Sequence, residues 1–136
     1  GVTRGTTRAH LARAVVEAMA FQTRDVVDAM TEGSGHQVTS LRVDGGASAM
    51  DLLLQIQADQ LGVPVERPTV QETTALGAAY LAGLAEGVWD SPTDIETNRV
   101  VDAEFGPAAD PSRVDSTHRR WRQAVELSRG WAAGQD

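Results

Sequence analysis

The segment Val43-Asp44-Gly45-Gly46-Ala47-Ser48 has the residue types in this sequence that best suit ligand binding. It lies where a predicted strand turns into a predicted helix. Two consecutive glycines let the backbone approach a ligand closely. The helix start offers unpaired N–H groups and the positive end of its dipole. A phosphate contact through the backbone is therefore one interpretation, and a tight turn without a ligand is the other and commoner one. The spacing matches neither the dinucleotide fingerprint nor the P-loop.

Two further segments allow a functional and an ordinary interpretation. Residues 73–79 (TTALGAA) open a predicted helix with small side chains, which another backbone can approach. Such a helix packs beneath a nucleotide site or simply against a neighbouring helix. Residues 1–10 (GVTRGTTRAH) combine glycine, threonine and arginine before a long helix. They suit either contact with phosphates or a solvated loop with a helix cap.

No group of residues predicts catalysis or a metal site. His10, His36 and His118 are scattered without the spacing of metal ligands. General acid–base chemistry needs a positioned carboxylate, and nothing in the sequence marks one. We therefore expect solvated positions for the carboxylates considered: Asp25, Asp28, Glu66, Glu72, Asp94 and Glu96. The last helix carries a basic cluster that we interpret as a solvated face: Arg119, Arg120 and Arg122.

Composition narrows the classes of partner. The 136 residues have a formal charge of -7, which disfavours nucleic acid as a partner. All twelve basic residues are arginine, so a phosphate site could use no lysine from this sequence. The sequence has no cysteine, which fits a reducing cytoplasm. No apolar run reaches the roughly 18–20 residues of a membrane span.

The first half of the chain predicts a helix, a strand and a second helix. Residues 6–30 have helical periodicity and a stop signal at 31–35, with an apolar stripe of Leu11, Val15, Ala18, Val26 and Met30. Residues 38–43 predict a strand. A second helix is expected to start at Ser48, with Asp51 completing a capping box and Gly62 ending it. Its predicted apolar face comprises Leu52, Leu53, Ile56 and Leu61.

The second half adds a strand and three helices. Residues 63–67 predict a strand that Pro68 closes, and residues 73–85 predict a helix. Ser91 and Asp110, each followed by proline, predict the starts of a short helix and of a last helix. The last helix has a predicted stripe of Val114, His118, Trp121, Val125 and Ser128. This order of elements predicts an α/β layer arrangement, and no linker divides residues 1–136.

Several stretches together resemble the C-terminal part of the carbohydrate-kinase family that includes glycerol, xylulose and gluconate kinases. Gly1-Val2 followed by HLARAVVE at residues 10–17 is similar to that family's second signature. Within the family, the resemblance is closest to the glycerol kinases. It rests on residues 20–27 (AFQTRDVV), 41–47 (LRVDGGA), 63–68 (VPVERP), 72–83 (ETTALGAAYLAG), and Trp121 and Trp131. We expect the sequence to be part of a longer polypeptide, since it starts at this motif.

The resemblance implies an actin-like ATPase (ribonuclease H-like) fold of two lobes, with ATP between them. This chain would be the C-terminal, nucleotide-side lobe, and its Asp-Gly-Gly turn would lie against the phosphates. Gly46 matches the family position whose backbone contacts the nucleotide, and Gly45 precedes it. The position near the adenine, which usually holds asparagine, is Met50 here. A hydrogen bond to the base is therefore in doubt, although methionine can pack on the ring.

The resemblance also implies the reaction and the partners. A glycerol kinase transfers the ATP γ-phosphate to glycerol, with Mg²⁺ neutralising charge. Its glycerol-binding and catalytic residues would lie in an N-terminal domain outside this sequence. We therefore expect no activity from this chain alone, and exposed apolar surface on the long first helix and the small-residue third helix. The resemblance implies a homodimer or a homotetramer. A sister kinase such as xylulokinase, or a non-catalytic nucleotide-binding module, is the alternative.

Overall fold

A computed structural model describes residues 1–129 of the protein. The predicted Trp131 resemblance lies outside that range. The described helices are α1 (Arg8–Ser34), α2 (Asp51–Leu61), α3 (Thr73–Ala85), α4 (Pro92–Glu96) and α5 (Pro111–Ser128). The strands are β1 (Leu41–Arg42), β2 (Val65–Pro68) and β3 (Val101–Phe105), and a 3₁₀ turn spans Gly46–Ala49. The predicted α/β class is confirmed.

Helix α1 extends past the predicted end at Met30 to Ser34. At its start, the Thr7 amide donates to Nδ1 of His10 at 3.1 Å, so His10 helps to cap the first turn. At its end, Gly35 adopts a left-handed conformation with φ 70°. The Gly35 amide then donates to the Thr31 carbonyl at 2.9 Å, which closes the last turn.

The predicted apolar stripe of α1 is not the face that packs within the described chain. Its large members, Leu11, Val15, Val26 and Met30, are all more than half exposed. Helix α1 buries Ala20 and Phe21 instead, on the side that packs against α2 and α5. Helical periodicity identifies an apolar face but does not identify what covers it. The expectation that α1 exposes apolar surface is confirmed.

The start of α2 differs from the prediction, because the residues before it form the 3₁₀ turn. Ser48 lies in that turn, and its Oγ donates to the Gly45 carbonyl at 2.7 Å instead of capping a helix. Helix α2 begins at Asp51, and the carboxylate of Asp51 accepts from Arg67 at 2.7 Å. The end at Gly62, with φ 68°, is as predicted.

The core lies between α2 and the sheet. Leu54, Ala58 and Val65 are almost fully buried, and they pack with the half-buried Leu41, Val43 and Phe105. The predicted apolar face of α2 was partly wrong, because Leu52 is exposed and Leu54 is buried. Leu52, Leu53 and Leu54 are adjacent in sequence, so the apolar pattern alone could not fix the orientation of the helix.

The sheet has the order β1-β2-β3. Strand β1 pairs with β2 in parallel, with Leu41 opposite Val65, and β2 pairs with β3 antiparallel, with Val65 opposite Phe105. Strand β3 was not predicted. Within the described chain β1 has a partner on one side only, and the 3₁₀ turn follows at its C-terminal end.

The remaining helices follow the prediction closely. Helix α3 spans the predicted 73–85. The Ser91 and Asp110 side chains accept from the amides of Asp94 and Arg113 and cap α4 and α5. On α5, Val114 and His118 are buried, but Val125 and Ser128, the last members of the predicted stripe, are exposed. No described helix is long and apolar enough to cross a membrane.

Candidate functional site

The Asp44-Gly45-Gly46 segment forms a fixed loop at the C-terminal end of β1. Gly45 has φ 75° and ψ 176°, a backbone conformation that is essentially restricted to glycine. Its amide donates to the Gln71 carbonyl at 2.9 Å, which ties the loop to the segment after β2. Its carbonyl accepts from the amide and the hydroxyl of Ser48, at 3.0 and 2.7 Å. The backbone conformation of the loop is therefore fixed by the hydrogen bonds that Gly45 makes with Gln71 and Ser48.

The loop presents free backbone donors. The amides of Gly46 and Ala47 donate to no acceptor within residues 1–129. A methyl group built on Gly46 would meet no atom within 4 Å, so the space above the backbone is open. Unpaired amides at the start of a helical turn suit an anion. The loop can thus accept a phosphate without help from a lysine.

Asp44 lies between two grooves. Its carboxylate accepts a short hydrogen bond from the Thr73 hydroxyl, which joins the loop to the start of α3. Residues 73–79 therefore do lie beside the glycine loop, as the functional interpretation of that helix requires. One groove, of about 410 Å³, runs beneath α3 and includes Thr73, Gly77 and Tyr80. The other, of about 580 Å³, lies between α1 and the loop.

The second groove contains an unpaired buried acceptor. Gln57 is 8% exposed, and its Nε2 donates to the Thr23 hydroxyl at 3.1 Å. Its Oε1 has no hydrogen-bond partner within the described residues. The rest of this groove is largely apolar and includes Met19, Val26 and Met30 from α1. Leaving a buried acceptor without a donor costs free energy. This groove therefore suits a further group that donates a hydrogen bond to Gln57 Oε1 and covers the apolar side chains.

Met50 is close to the glycine loop in sequence but stands apart from both grooves. It is the residue before α2, with φ −89° and ψ 95°, and its side chain is 39% exposed. It lines neither groove. An approach to adenine by Met50 therefore stays a prediction, since the described geometry supplies a surface there but no enclosed base pocket.

Arg67 is a residue of the site that sequence reasoning missed. It lies on β2, and its guanidinium donates to the Ser48 carbonyl at 3.1 Å and to Asp51 at 2.7 Å. It also donates to Asp102 on β3 at 2.7 Å and lies 5.7 Å from the Phe105 ring centre. The hydrogen bonds that Arg67 donates to Asp51 and Asp102 raise its pKa above the ordinary value. The arginine thus connects the sheet to the turn after Gly46.

Two of the carboxylates expected to be solvated, Asp25 and Glu66, are partly buried and bond to side chains of distant segments. Asp25 accepts from Nε2 of His118 at 2.8 Å and from the Trp121 indole at 2.9 Å, which links α1 to α5. Glu66 pairs with Arg99 at 2.5 Å. His118 lies on the stripe predicted for α5 and is itself buried. The arginines at 119, 120 and 122 are exposed as predicted.

The opening run lies apart from the glycine loop. Residues of segment 1–10 line a separate groove with Leu11 and Ala14 of α1. The Thr3 amide donates to the Thr6 hydroxyl at 2.9 Å, and the Thr6 amide donates to the Thr3 carbonyl at 3.0 Å. These contacts fit the predicted solvated loop and helix cap, and none of them brings the run to the glycine loop.

The chain has similarity to known proteins over nearly its whole length. Residues 1–86 match the C-terminal domain of the FGGY family of carbohydrate kinases. A glycerol kinase of Pseudothermotoga lettingae is 56% identical over 131 residues, which are 96% of this chain and 26% of that protein. Glycerol kinase 2 of Streptomyces avermitilis is 54% identical over 96% of this chain and 26% of its own length. The chain thus spans about a quarter of these relatives.

Solved structures agree with this assignment of the fold. The crystal structure of Plasmodium falciparum glycerol kinase with ADP superposes with a TM-score of 0.84 at 34% identity, covering 95% of this chain and 26% of that one. A xylulose kinase of Lactobacillus acidophilus superposes with a TM-score of 0.76 at 24% identity, covering 96% of this chain and 27% of that one. The fold is therefore that of the C-terminal part of these sugar kinases.

Proposed function

The chain belongs to the FGGY family of carbohydrate kinases, and we propose that it is the nucleotide-side domain of an ATP-dependent glycerol kinase. The free amides of Gly46 and Ala47 carry this proposal, because they leave an open anion site in the loop that the resemblance assigns to the nucleotide. Glycerol kinases that are 50–56% identical to nearly the whole chain support glycerol as the acceptor.

In this function the loop binds and orients the nucleotide. The amides of Gly46 and Ala47 donate to phosphate oxygens, and Gly45 and Ser48 keep those amides pointed in one direction. Phosphoryl transfer depends mostly on positioning and on electrostatic stabilisation of the transferred group. The chain supplies the first of these for the donor substrate, while the N-terminal domain binds glycerol and supplies the base for its hydroxyl.

Mg²⁺ belongs to this proposal as a companion of the nucleotide. The described residues contain no cluster of three or more histidine, aspartate or glutamate side chains that could hold a metal. Near the loop, Asp44 bonds to Thr73 and Asp51 bonds to Arg67. These residues do not fit a dedicated metal cage. Mg²⁺ commonly binds through one or two carboxylates together with substrate phosphates, so it would enter the site with the nucleotide.

The partner of this domain is the N-terminal domain of the same enzyme. The exposed apolar face of α1, formed by Leu11, Val15, Val26 and Met30, supports this proposal, together with the free edge of β1. An exposed apolar patch of this kind marks an interaction surface. The enzyme would act in the cytoplasm, where its donor ATP is abundant, as a homodimer or homotetramer that sedimentation of the intact protein would identify.

The test is an assay of the intact enzyme containing this segment for ATP-dependent phosphorylation of glycerol, with xylulose and gluconate alongside. A clear preference for glycerol supports the proposal. Preference for another acceptor assigns the chain to a sister kinase, and no activity on any acceptor favours a non-catalytic nucleotide-binding module. The isolated chain is expected to consume no ATP in the presence of glycerol.

Variants of the loop test its assigned role. Gly46→Ala adds a methyl group where the glycine backbone would approach the phosphate closely, and it is expected to raise the KM for ATP without changing the KM for glycerol. Leu52→Ala is the matched control, because Leu52 is half exposed on the helix that follows the loop and lines neither of the two grooves beside Asp44. Met50→Asn restores the usual family residue and is expected to lower the KM for ATP; an unchanged value would remove Met50 from the site.

A further inference from the structure

Arg67 has contacts that a purely structural ion pair would not need. Its side chain is 13% exposed and reaches three segments: the 3₁₀ turn through the Ser48 carbonyl, the start of α2 through Asp51, and β3 through Asp102. Its Nη1 atom makes both contacts to the turn and to α2. The guanidinium fork fixes these acceptors in one plane, which a lysine could not do.

The acceptor positions connect Arg67 to the amides that would bind phosphate. Ser48 follows Ala47 directly, and its own amide and hydroxyl bond to Gly45. The Ser48 carbonyl that Arg67 holds is therefore part of the same short turn as the free amides of Gly46 and Ala47. A rotation of this turn would change the direction in which both amides point.

We propose that Arg67 is a positioning residue for nucleotide binding, which acts by holding the turn that carries the Gly46 and Ala47 amides. This inference rests on the proposed function of the loop. The arginine need not touch the nucleotide, because its hydrogen-bonding capacity toward the turn is already used by the Ser48 carbonyl and Asp51. Its role is to set the orientation of neutral backbone donors in a chain that has no lysine.

Arg24 provides a matched control. Its side chain is 19% exposed and, like Arg67, it pairs with two carboxylates, Asp28 at 3.6 Å and Asp115 at 2.7 Å. Arg24 joins α1 to α5, and it also donates to Gln60 of α2. None of its hydrogen bonds or ion pairs within the described residues involves the glycine loop. Arg24→Met therefore removes a comparable ion-pair network at comparable burial without affecting the turn directly.

The experiment compares Arg67→Met and Arg24→Met in the intact enzyme, with ATP and glycerol varied in turn. Misplacement of a binding group by about 1 Å can cost up to ~100-fold. We expect Arg67→Met to raise the KM for ATP by on the order of tenfold, with the KM for glycerol within about twofold of the parent. Arg24→Met should leave both KM values near those of the parent. Equal effects of the two variants on the KM for ATP would overturn the inference.

Two further measurements keep the test decisive. Asp51→Ala removes the bond that holds the Arg67 guanidinium at the start of α2, while the bond to the Ser48 carbonyl of the turn is left on the same nitrogen, and since the Asp51 side chain is 72% exposed the variant should fold even if Arg67→Met does not. It should also raise the KM for ATP; an unchanged value contradicts the inference. If the parent enzyme phosphorylates nothing, the proposed function fails, and hydrogen exchange of the Ser48 and Met50 amides, which bond to the Gly45 and Ala47 carbonyls within the turn, then decides. Faster exchange in Arg67→Met than in Arg24→Met supports the positioning role, and equal exchange overturns it.

Discussion

Adding one methyl group at Gly45 or at Gly46 should have opposite effects on folding. Gly45 has φ 75° and ψ 176°, which alanine adopts only at a cost of about 1–3 kcal/mol. Gly46 is not among the glycines with positive φ, and a methyl group there meets no atom within 4 Å. Either alanine also restricts the unfolded chain, which is worth about 0.4–1 kcal/mol in favour of folding.

The net expectation is a loss of about 1–2 kcal/mol for Gly45→Ala and a gain of up to about 1 kcal/mol for Gly46→Ala. With a urea dependence of about 1–3 kcal/mol per molar, the two unfolding midpoints should differ by on the order of 1 M. Urea unfolding of the chain, followed by circular dichroism, measures this difference. Coincident midpoints for the two variants would refute the assignment of strain to Gly45 and of free space to Gly46.

Three further predictions concern the rest of the chain. Gly83→Ala would place its methyl carbon 2.1 Å from a ring carbon of Trp89, which packs on α3. This overpacking should cost about 1–3 kcal/mol of stability and lower the thermal unfolding midpoint; an unchanged midpoint would contradict that packing. Asp25→Ala leaves the buried His118 and the half-buried Trp121 of α5 without their acceptor and should cost about 1–3 kcal/mol in urea unfolding, whereas the exposed Asp28→Ala should cost less. The hydrogen bond from Arg24 lowers the pKa of Asp115 below its ordinary value of 3.8. The ion pair therefore stabilises the folded chain fully above pH 3.8, and this contribution is lost as the pH falls through the lower pKa of the folded state. Unfolding midpoints between pH 5 and pH 3 should decline less steeply in Asp115→Asn, and identical slopes would argue against this linkage.

Helix boundaries were predictable where local chemistry encodes them. Ser91 and Asp110 cap their helices with their own side chains, and Gly62 ends α2 through its left-handed conformation. These signals involve neighbours within a few residues. Strand β3 also had a local signal that was not used, because Val101-Asp102-Ala103-Glu104-Phe105 alternates apolar and acidic residues, as expected for a half-buried strand.

The Arg67 contacts and the α1–α5 contact could not be predicted in this way. Arg67 reaches Asp51 and Asp102, 16 and 35 positions away, and Asp25 reaches His118, 93 positions away. Such pairs depend on how whole elements pack. The glycine loop itself was located from the sequence. That the Gly46 and Ala47 amides are free could be seen only in the structure, where Gly45 and Ser48 form hydrogen bonds and these two amides do not. The assignment of Gly45, Gly46 and Met50 to a nucleotide stays a prediction.

The packing of α5 on α1 also has a consequence for synthesis on the ribosome. The Phe21 ring stacks on the Trp121 ring, with 5.5 Å between the ring centres, and Arg24 binds Asp115 at 2.7 Å. The last helix of the described chain therefore covers the Phe21 side of the first helix. A growing polypeptide exposes Phe21 for as long as α5 has not yet emerged. We therefore expect chaperones to recognise this surface on nascent chains, and a premature stop before α5 to give a product that cellular proteases remove.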